Sequence, residues 1–194
     1  YLVWNPCVYQ LFLVVFDWSN LTLDPNTANR HLSLSEGNRK VTWGEERQPY
    51  PDYPERFDRC PQVLCRESLT GRCYWEAEWS GNGAMIGVTY KGIWRKGDSA
   101  DCGLGFNGKS WSLFCSPDSY SVRHNNKQTV IPIQRSDSCR VGVYLDWAAG
   151  TLSFYRVSSD GLTLLYSFTS SFTEPLYPGF GVYDDSSVSL CMLG

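Results

Sequence analysis

Glu76 and Glu78 stand two residues apart in an alternating stretch, so both carboxylates fall on one strand face. Paired carboxylates are what a glycoside hydrolase uses as acid and nucleophile. The surrounding residues follow a structural pattern, and no catalysis is expected from this pair. A Ser-His-Asp triad needs an imidazole base. The chain has two histidines, His31 in a short candidate strand and His124 in a polar stretch, and neither lies near a Gly-x-Ser-x-Gly nucleophile motif. Gly81-Asn82-Gly83 lacks the following helix of a phosphate loop. The eight cysteines, Cys7, Cys60, Cys65, Cys73, Cys102, Cys115, Cys139 and Cys191, include no Cys-x-x-Cys pair. With two distant histidines they make no expected zinc site, and no metal or cofactor is expected. Their even number allows a disulfide framework. Against that, 194 residues can fold on an apolar core alone, and Cys73 occupies an alternating apolar position where a thiol acts as a small hydrophobe. Reduced thiols and a cytoplasmic chain are the expectation.

Aromatic side chains in polar stretches are the stronger functional signal. Tyr50 and Tyr53 lie in the proline-broken segment 44–58, Trp94 and Arg95 in 91–101, and Tyr120 in 116–127. Each segment reads as an exposed loop, and Tyr and Trp on loops are common anchors of protein interfaces. The competing reading is that these rings fold back over sheet edges. The net charge is −3, and the basic cluster Lys91, Arg95, Lys96 is followed by Asp98 and Asp101, so nucleic acid is not an expected partner. In the atypical apolar segment 1–16, the continuous run 11–16 is too short to span a bilayer and no basic region precedes it, so neither a membrane span nor a signal peptide is expected there. Asn20-Leu21-Thr22 is a glycosylation sequon, which matters only in a secreted protein.

The elements that must position these residues are short strands. In residues 71–79, Cys73, Trp75, Ala77 and Trp79 alternate with Tyr74, Glu76 and Glu78, the mark of a strand with one buried face. Residues 80–83 supply a reversal and residues 84–90 return, which predicts a central hairpin. Further strands are expected at 62–65, 102–106, 110–115, 129–133, 140–147, 151–157, 162–168 and 187–192. Residues 28–36 suit a strand or one helical turn. Twelve or more one-faced strands are most economically buried in two stacked antiparallel sheets, and no fixed repeat suggests a propeller.

Residues 71–78, with Tyr74-Trp75-Glu76-Ala77-Glu78 at their centre, resemble the Trp-Glu-Val-Glu signature of the B30.2 (PRY-SPRY) family. Leu23-Asp24-Pro25 resembles the motif that opens the PRY part. Leu145-Asp146-Trp147-Ala148 resembles the late SPRY motif Leu-Asp-Tyr-Glu, with Trp-Ala in place of Tyr-Glu. Arg56-Phe57, Pro61-Gln62-Val63-Leu64 and 175–180 fall in suitable places between and after them. The resemblance covers about 21–193. It implies one all-β domain over 17–194, with PRY at about 21–66 and SPRY at about 67–193, folded as a bent antiparallel β-sandwich of two sheets. It further implies a non-catalytic module that binds a protein or peptide ligand through variable loops and the adjoining concave sheet.

Matched residue by residue, Phe114 and Ser116 fall where antibody-binding relatives carry pocket tryptophans, Met85 where they can carry an acid, and Tyr183 near a pocket aromatic. The tryptophans and the acid are absent here, so a more apolar peptide patch is expected; Trp111 reads as core. The expected clamp lies between 44–58, 91–101 and 116–127 and the surface around Met85, Phe114 and Tyr183. Relatives are usually the C-terminal part of intracellular proteins: tripartite-motif ubiquitin ligases, NLR-type immune receptors and butyrophilin tails. Residues 23–35 and 141–157 look like the fish expansions of the first two. Innate-immune recognition is thereby implied, with any ligase activity in a RING domain outside this chain and oligomerisation through outside domains only. Two alternatives stand beside it: a carbohydrate-binding β-sandwich, and a secreted toxin-like B30.2 protein with paired cysteines and a glycosylated Asn20.

Overall fold

The computed structural model describes residues 17–18, 20–133 and 138–193, so the apolar segment 1–16 lies outside the described residues. In chain order the first strands are β1 (Asp17–Trp18), β2 (Leu32–Ser35), β3 (Lys40–Trp43), β4 (Gln62–Leu64), β5 (Arg72–Ser80) and β6 (Ala84–Tyr90). A single helical turn, α1 (Ser99–Cys102), precedes β7 (Ser110–Cys115), β8 (Tyr120–His124) and β9 (Lys127–Ile131). The chain ends in β10 (Arg140–Asp146), β11 (Thr151–Ser158), β12 (Gly161–Thr169), β13 (Leu176–Val182) and β14 (Ser187–Leu190). One sheet has the order β12-β11-β10-β5-β14-β3-β2, with β1 running parallel to the start of β5; the other has the order β4-β13-β6-β7-β8-β9. All other pairings are antiparallel. This is the expected β-sandwich.

The alternation in β5 works as read: Cys73, Trp75, Ala77 and Trp79 all enter the core between the sheets. They meet Ile86, Val88, Trp111, Leu113, Val122 and Phe180 from the opposite sheet. The central hairpin does not form. β5 pairs with β10 and β14, while β6 pairs with β13 and β7 in the other sheet. Residues 81–83 are a corner between sheets, because both strands bury an apolar face and each needs a different layer to bury it against. Gly81 takes φ +91° there, and a Cβ at that position would lie 1.9 Å from the Asp185 carbonyl oxygen. The Gly83 amide donates to Ser186 Oγ at 3.0 Å and Asn82 Nδ2 donates to the Asp184 carbonyl at 3.3 Å. The corner is thereby clamped to the turn that carries Tyr183.

Three more expectations are corrected. The strand read at 102–106 is instead α1 and a turn. The polar stretch 116–127 is not one loop: it contains strand β8 between two short turns. Tyr74 and Glu76, on the outer side of β5, are buried: the Tyr74 hydroxyl donates to Glu76 Oε1 at 2.8 Å, and Arg140 pairs with the other carboxylate oxygen. The thiols are not all reduced either. Cys60 and Cys102 form a disulfide with Cα atoms 6.3 Å apart. It sits in a second, smaller core with Phe57, Leu64, Met85, Ile93 and Leu104, where the PRY-side loop and the end of α1 converge. Cys65 and Cys115 remain free and buried, and Cys73 is buried in the main core.

Candidate ligand-binding groove

The outer face of the six-stranded sheet follows from period two. Ile86, Leu113 and Val122 point into the core, so Met85, Phe114, Ser112, Ser121 and Arg123 point out. Register sets them side by side: Met85 opposite Phe114, Phe114 opposite Ser121, Ser112 opposite Arg123, and Arg123 opposite Gln128. With Phe106, Tyr183 and the corner residues Asn82 and Gly83 they line a groove of about 380 Å³. That volume lies within the range of small ligand sites. Its floor is apolar. Met85 is buried, the Phe114 and Tyr183 rings meet edge to face with centroids 5.9 Å apart, and Gly83 leaves room for the Phe114 ring, which a Cβ would approach to 3.1 Å.

The polar end is built around Arg123. Its guanidinium lies over the Phe106 ring at 4.4 Å, and it donates to Asn126 Oδ1 at 2.9 Å and Gln128 Oε1 at 2.7 Å. Gln128 Nε2 in turn donates to Ser121 Oγ at 3.1 Å. The β8–β9 reversal holds this arrangement: Asn125 and Asn126 take φ of 49° and 60°, the left-handed pair of a two-residue hairpin turn. Burial pushes the Tyr183 phenol up from its usual range, and the Arg123 charge pulls it partly back. No Asp or Glu among the described residues lines the groove. Among the described residues, no group of three or more His, Cys, Asp or Glu could hold a metal.

Residues 21–69 match the profile of the SPRY-associated domain, PRY, and residues 72–193 match that of the SPRY domain. The chain belongs to the PRY-SPRY family. The stonustoxin beta subunit of Synanceia horrida is 47% identical over 165 residues, covering 84% of this chain and 23% of that protein. Tripartite motif-containing protein 16 of Mus musculus is 41% identical, covering 83% of this chain and 29% of that protein. The crystal structure of the TRIM65 PSpry domain superimposes with a TM-score of 0.85 at 30% identity, covering 97% of this chain and 96% of that one. This PRY-SPRY domain thus spans about a quarter of the length of the two curated relatives.

Of the residues singled out in the sequence, the PRY-SPRY fold brings Met85, Phe114 and Tyr183 together, and Met85 serves as floor rather than exposed contact. Ser116 lies beyond the groove in the β7–β8 turn, where its hydroxyl is bonded to Ser119. Tyr120 is no loop aromatic: it is buried on β8, and its hydroxyl accepts the Trp79 indole N–H at 3.2 Å. Tyr50 is half-buried and donates to the Leu32 carbonyl at 2.8 Å. Tyr53 and Trp94 are exposed, but on the loop pair 49–58 and 91–98, away from the groove lining. Arg95 stitches that pair, donating to the carbonyls of Glu55, Ile93 and Lys91. Of the three segments of the expected clamp, 44–58 and 91–101 do not line the groove, whereas 116–127 contributes Ser121 and Arg123.

Sequence reading missed Arg123 and Ser121 because 116–127 looked like one loop, and Phe106 because 102–106 read as a strand; Gln128 fell between that loop and the strand expected at 129–133. The signal was present: 120–124 alternates, with Val122 inward and Ser121 and Arg123 outward, and Asn125-Asn126 follows as a hairpin turn pair.

Proposed function

We propose that this domain is a non-catalytic recognition module that takes a segment of a protein or peptide into the groove on its six-stranded sheet. The observation that carries the reading is the outward row Met85, Phe114 and Tyr183, an open apolar surface on a rigid sheet with a single cation at its end. SPRY domains in general act as binding modules, and the tripartite-motif relatives support a place at the recognition end of a larger protein. We extend this to an intracellular, innate-immune protein of the tripartite-motif or NLR kind. Any ligase activity would then belong to a RING domain outside these residues. A carbohydrate site would need carboxylates converging with aromatics, and the groove lining supplies none.

The test uses a partner bound by the purified chain. Phe114→Ala and Tyr183→Ala are expected to release it, while Leu164→Ser, on the exposed face of β12 in the other sheet, keeps it. A partner retained by both groove variants and released by Trp94→Ala would move the site to the loop pair.

A second reading is favoured by two observations, the toxin-subunit relative and the Cys60–Cys102 disulfide. Disulfides persist chiefly in oxidising compartments. On this reading the same module serves a secreted toxin-like protein. Alkylation in intact cells separates the two. Cys60 and Cys102 both alkylated favours the cytoplasmic placement; both protected until reduction, with Asn20 glycosylated, favours the secreted one.

A further inference from the structure

We propose that the groove selects an extended acidic peptide: an aromatic or aliphatic anchor on Phe114 and Tyr183, with an Asp or Glu two residues away on Arg123. The proposal rests on the groove being the binding site, and it adds the chemistry of the occupant.

The charge balance of the site points there. Elsewhere the arginine and lysine ion pairs are closed within the fold: Arg72 on Asp146, Arg140 on Glu76, Lys96 on Asp52. Among the described residues, no carboxylate pairs with Arg123. Its two acceptors, the amide oxygens of Asn126 and Gln128, are neutral. They fix the plane of the fork without cancelling its charge, and Phe106 supports one face. A guanidinium has five N–H donors; among the described residues two are used, and three remain in a fork already oriented for a carboxylate. Little side-chain entropy is left to lose on binding, because the arginine is already held. Asp184 and Asp185 follow Tyr183 in sequence, but neither lines the groove.

Spacing follows from register. Phe114 is opposite Ser121, and Arg123 is two residues further along β8, so Arg123 is the diagonal neighbour of Phe114. Diagonal neighbours on one sheet face are about 7–8 Å apart. In an extended peptide, residues i and i+2 share a face and lie about 6.6–6.8 Å apart. An anchor on the rings therefore places the side chain two positions away over the guanidinium.

The experiment selects a random ten-residue library, displayed within a coat protein so that no free C-terminus is offered, on the folded chain. Winners are resynthesised and measured by fluorescence anisotropy. The expected result is an aromatic or aliphatic residue with Asp or Glu two positions away. Replacing that acid by its amide, or Arg123→Gln in the domain, should weaken binding roughly ten- to hundredfold, the range of a charge-assisted hydrogen bond. Arg123→Glu should turn the preference to Lys or Arg. The amide-for-acid exchange needs no variant of the domain, so a misfolded Arg123 variant does not spare the proposal. Peptides that lose binding with Phe114→Ala but carry no acid bias, or that bind equally with acid or amide, overturn the acidic ligand and leave the groove standing. A library that yields nothing, or winners indifferent to both Phe114→Ala and Tyr183→Ala, overturns the groove itself.

Discussion

Arg95 and Arg123 each lay a guanidinium on a phenylalanine ring, at 5.0 Å over Phe57 and 4.4 Å over Phe106. Their acceptors differ. Arg95 gives its N–H groups to three backbone carbonyls on two loops. Arg123 gives two of its own to side-chain amides on one hairpin and lines an open groove. Backbone carbonyls consume a guanidinium to hold a chain in place; neutral amides on a hairpin display it. The loop pair 49–58 and 91–98 carries further ties of the first kind. Arg56 donates to the carbonyls of Pro51, Pro25 and Ala28, Lys96 pairs with Asp52, and Cys60 is bonded to Cys102. Exposed aromatics there, Tyr53 and Trp94, ride on a strapped structure. The groove has an unstrapped cation. Separate substitutions in each region test that contrast.

The straps should dominate stability. Reduction of Cys60–Cys102 frees the closure of a segment with a sequence separation of 42, which the chain-entropy view values at about 4 kcal/mol. Urea unfolding with and without reductant measures it; an unchanged midpoint would mean the loop pair is held without the bond. Arg56→Ala is the next largest. The side chain is buried, and its loss leaves the buried Ala28 carbonyl without its donor and unties the part-buried Pro25 and Pro51 carbonyls, at a cost of about 3 kcal/mol. Peptide affinity per folded molecule should stay the same for Arg56→Ala, whose side chain neither lines the groove nor belongs to the small core beneath Met85.

How far these regions were readable differs for physical reasons. The sandwich was legible because alternation reports burial directly, and Trp75, Val143 and Phe154 are where it put them. The partner of each strand was not legible. β5 and β6 are adjacent in sequence, yet they belong to different sheets, and a glycine corner reads like a hairpin turn until its long-range bonds to 184–186 are known. Met85, Phe114 and Tyr183 were placed by family resemblance. Arg123 was hidden because a short polar strand followed by Asn-Asn resembles a loop. The Cys60–Cys102 pair was hidden because its two halves come together only through the small core around Phe57 and Leu64.

Arg95→Ala should cost about 1–2 kcal/mol in the same urea assay, less than Arg56→Ala because its side chain is only partly buried. Arg123→Gln should cost less again, below about 1 kcal/mol, since the hairpin keeps its backbone ladder and the amide acceptors can turn to water. Equal losses for the two arginines would erase the distinction between a strap and a displayed charge.

The smallest effect is on Tyr183. Burial raises its phenol, and Arg123 opposes the rise. A raised folded value means that the folded state holds its proton longer than the unfolded chain does. Its contribution to stability is therefore full below the unfolded value of about 10, and it is lost as pH climbs through the folded value. Arg123→Gln removes the opposing charge, so the phenol should titrate still higher. Carbon-13 labelling of the tyrosine ring, with the Tyr183 resonance assigned by Tyr183→Phe, follows this residue among the 12 tyrosines. A downward move, or none, would show that the Arg123 charge does not reach the ring. An upward move would show that one cation acts across the groove from its polar end to its aromatic floor, as joint recognition of an apolar anchor and a carboxylate requires.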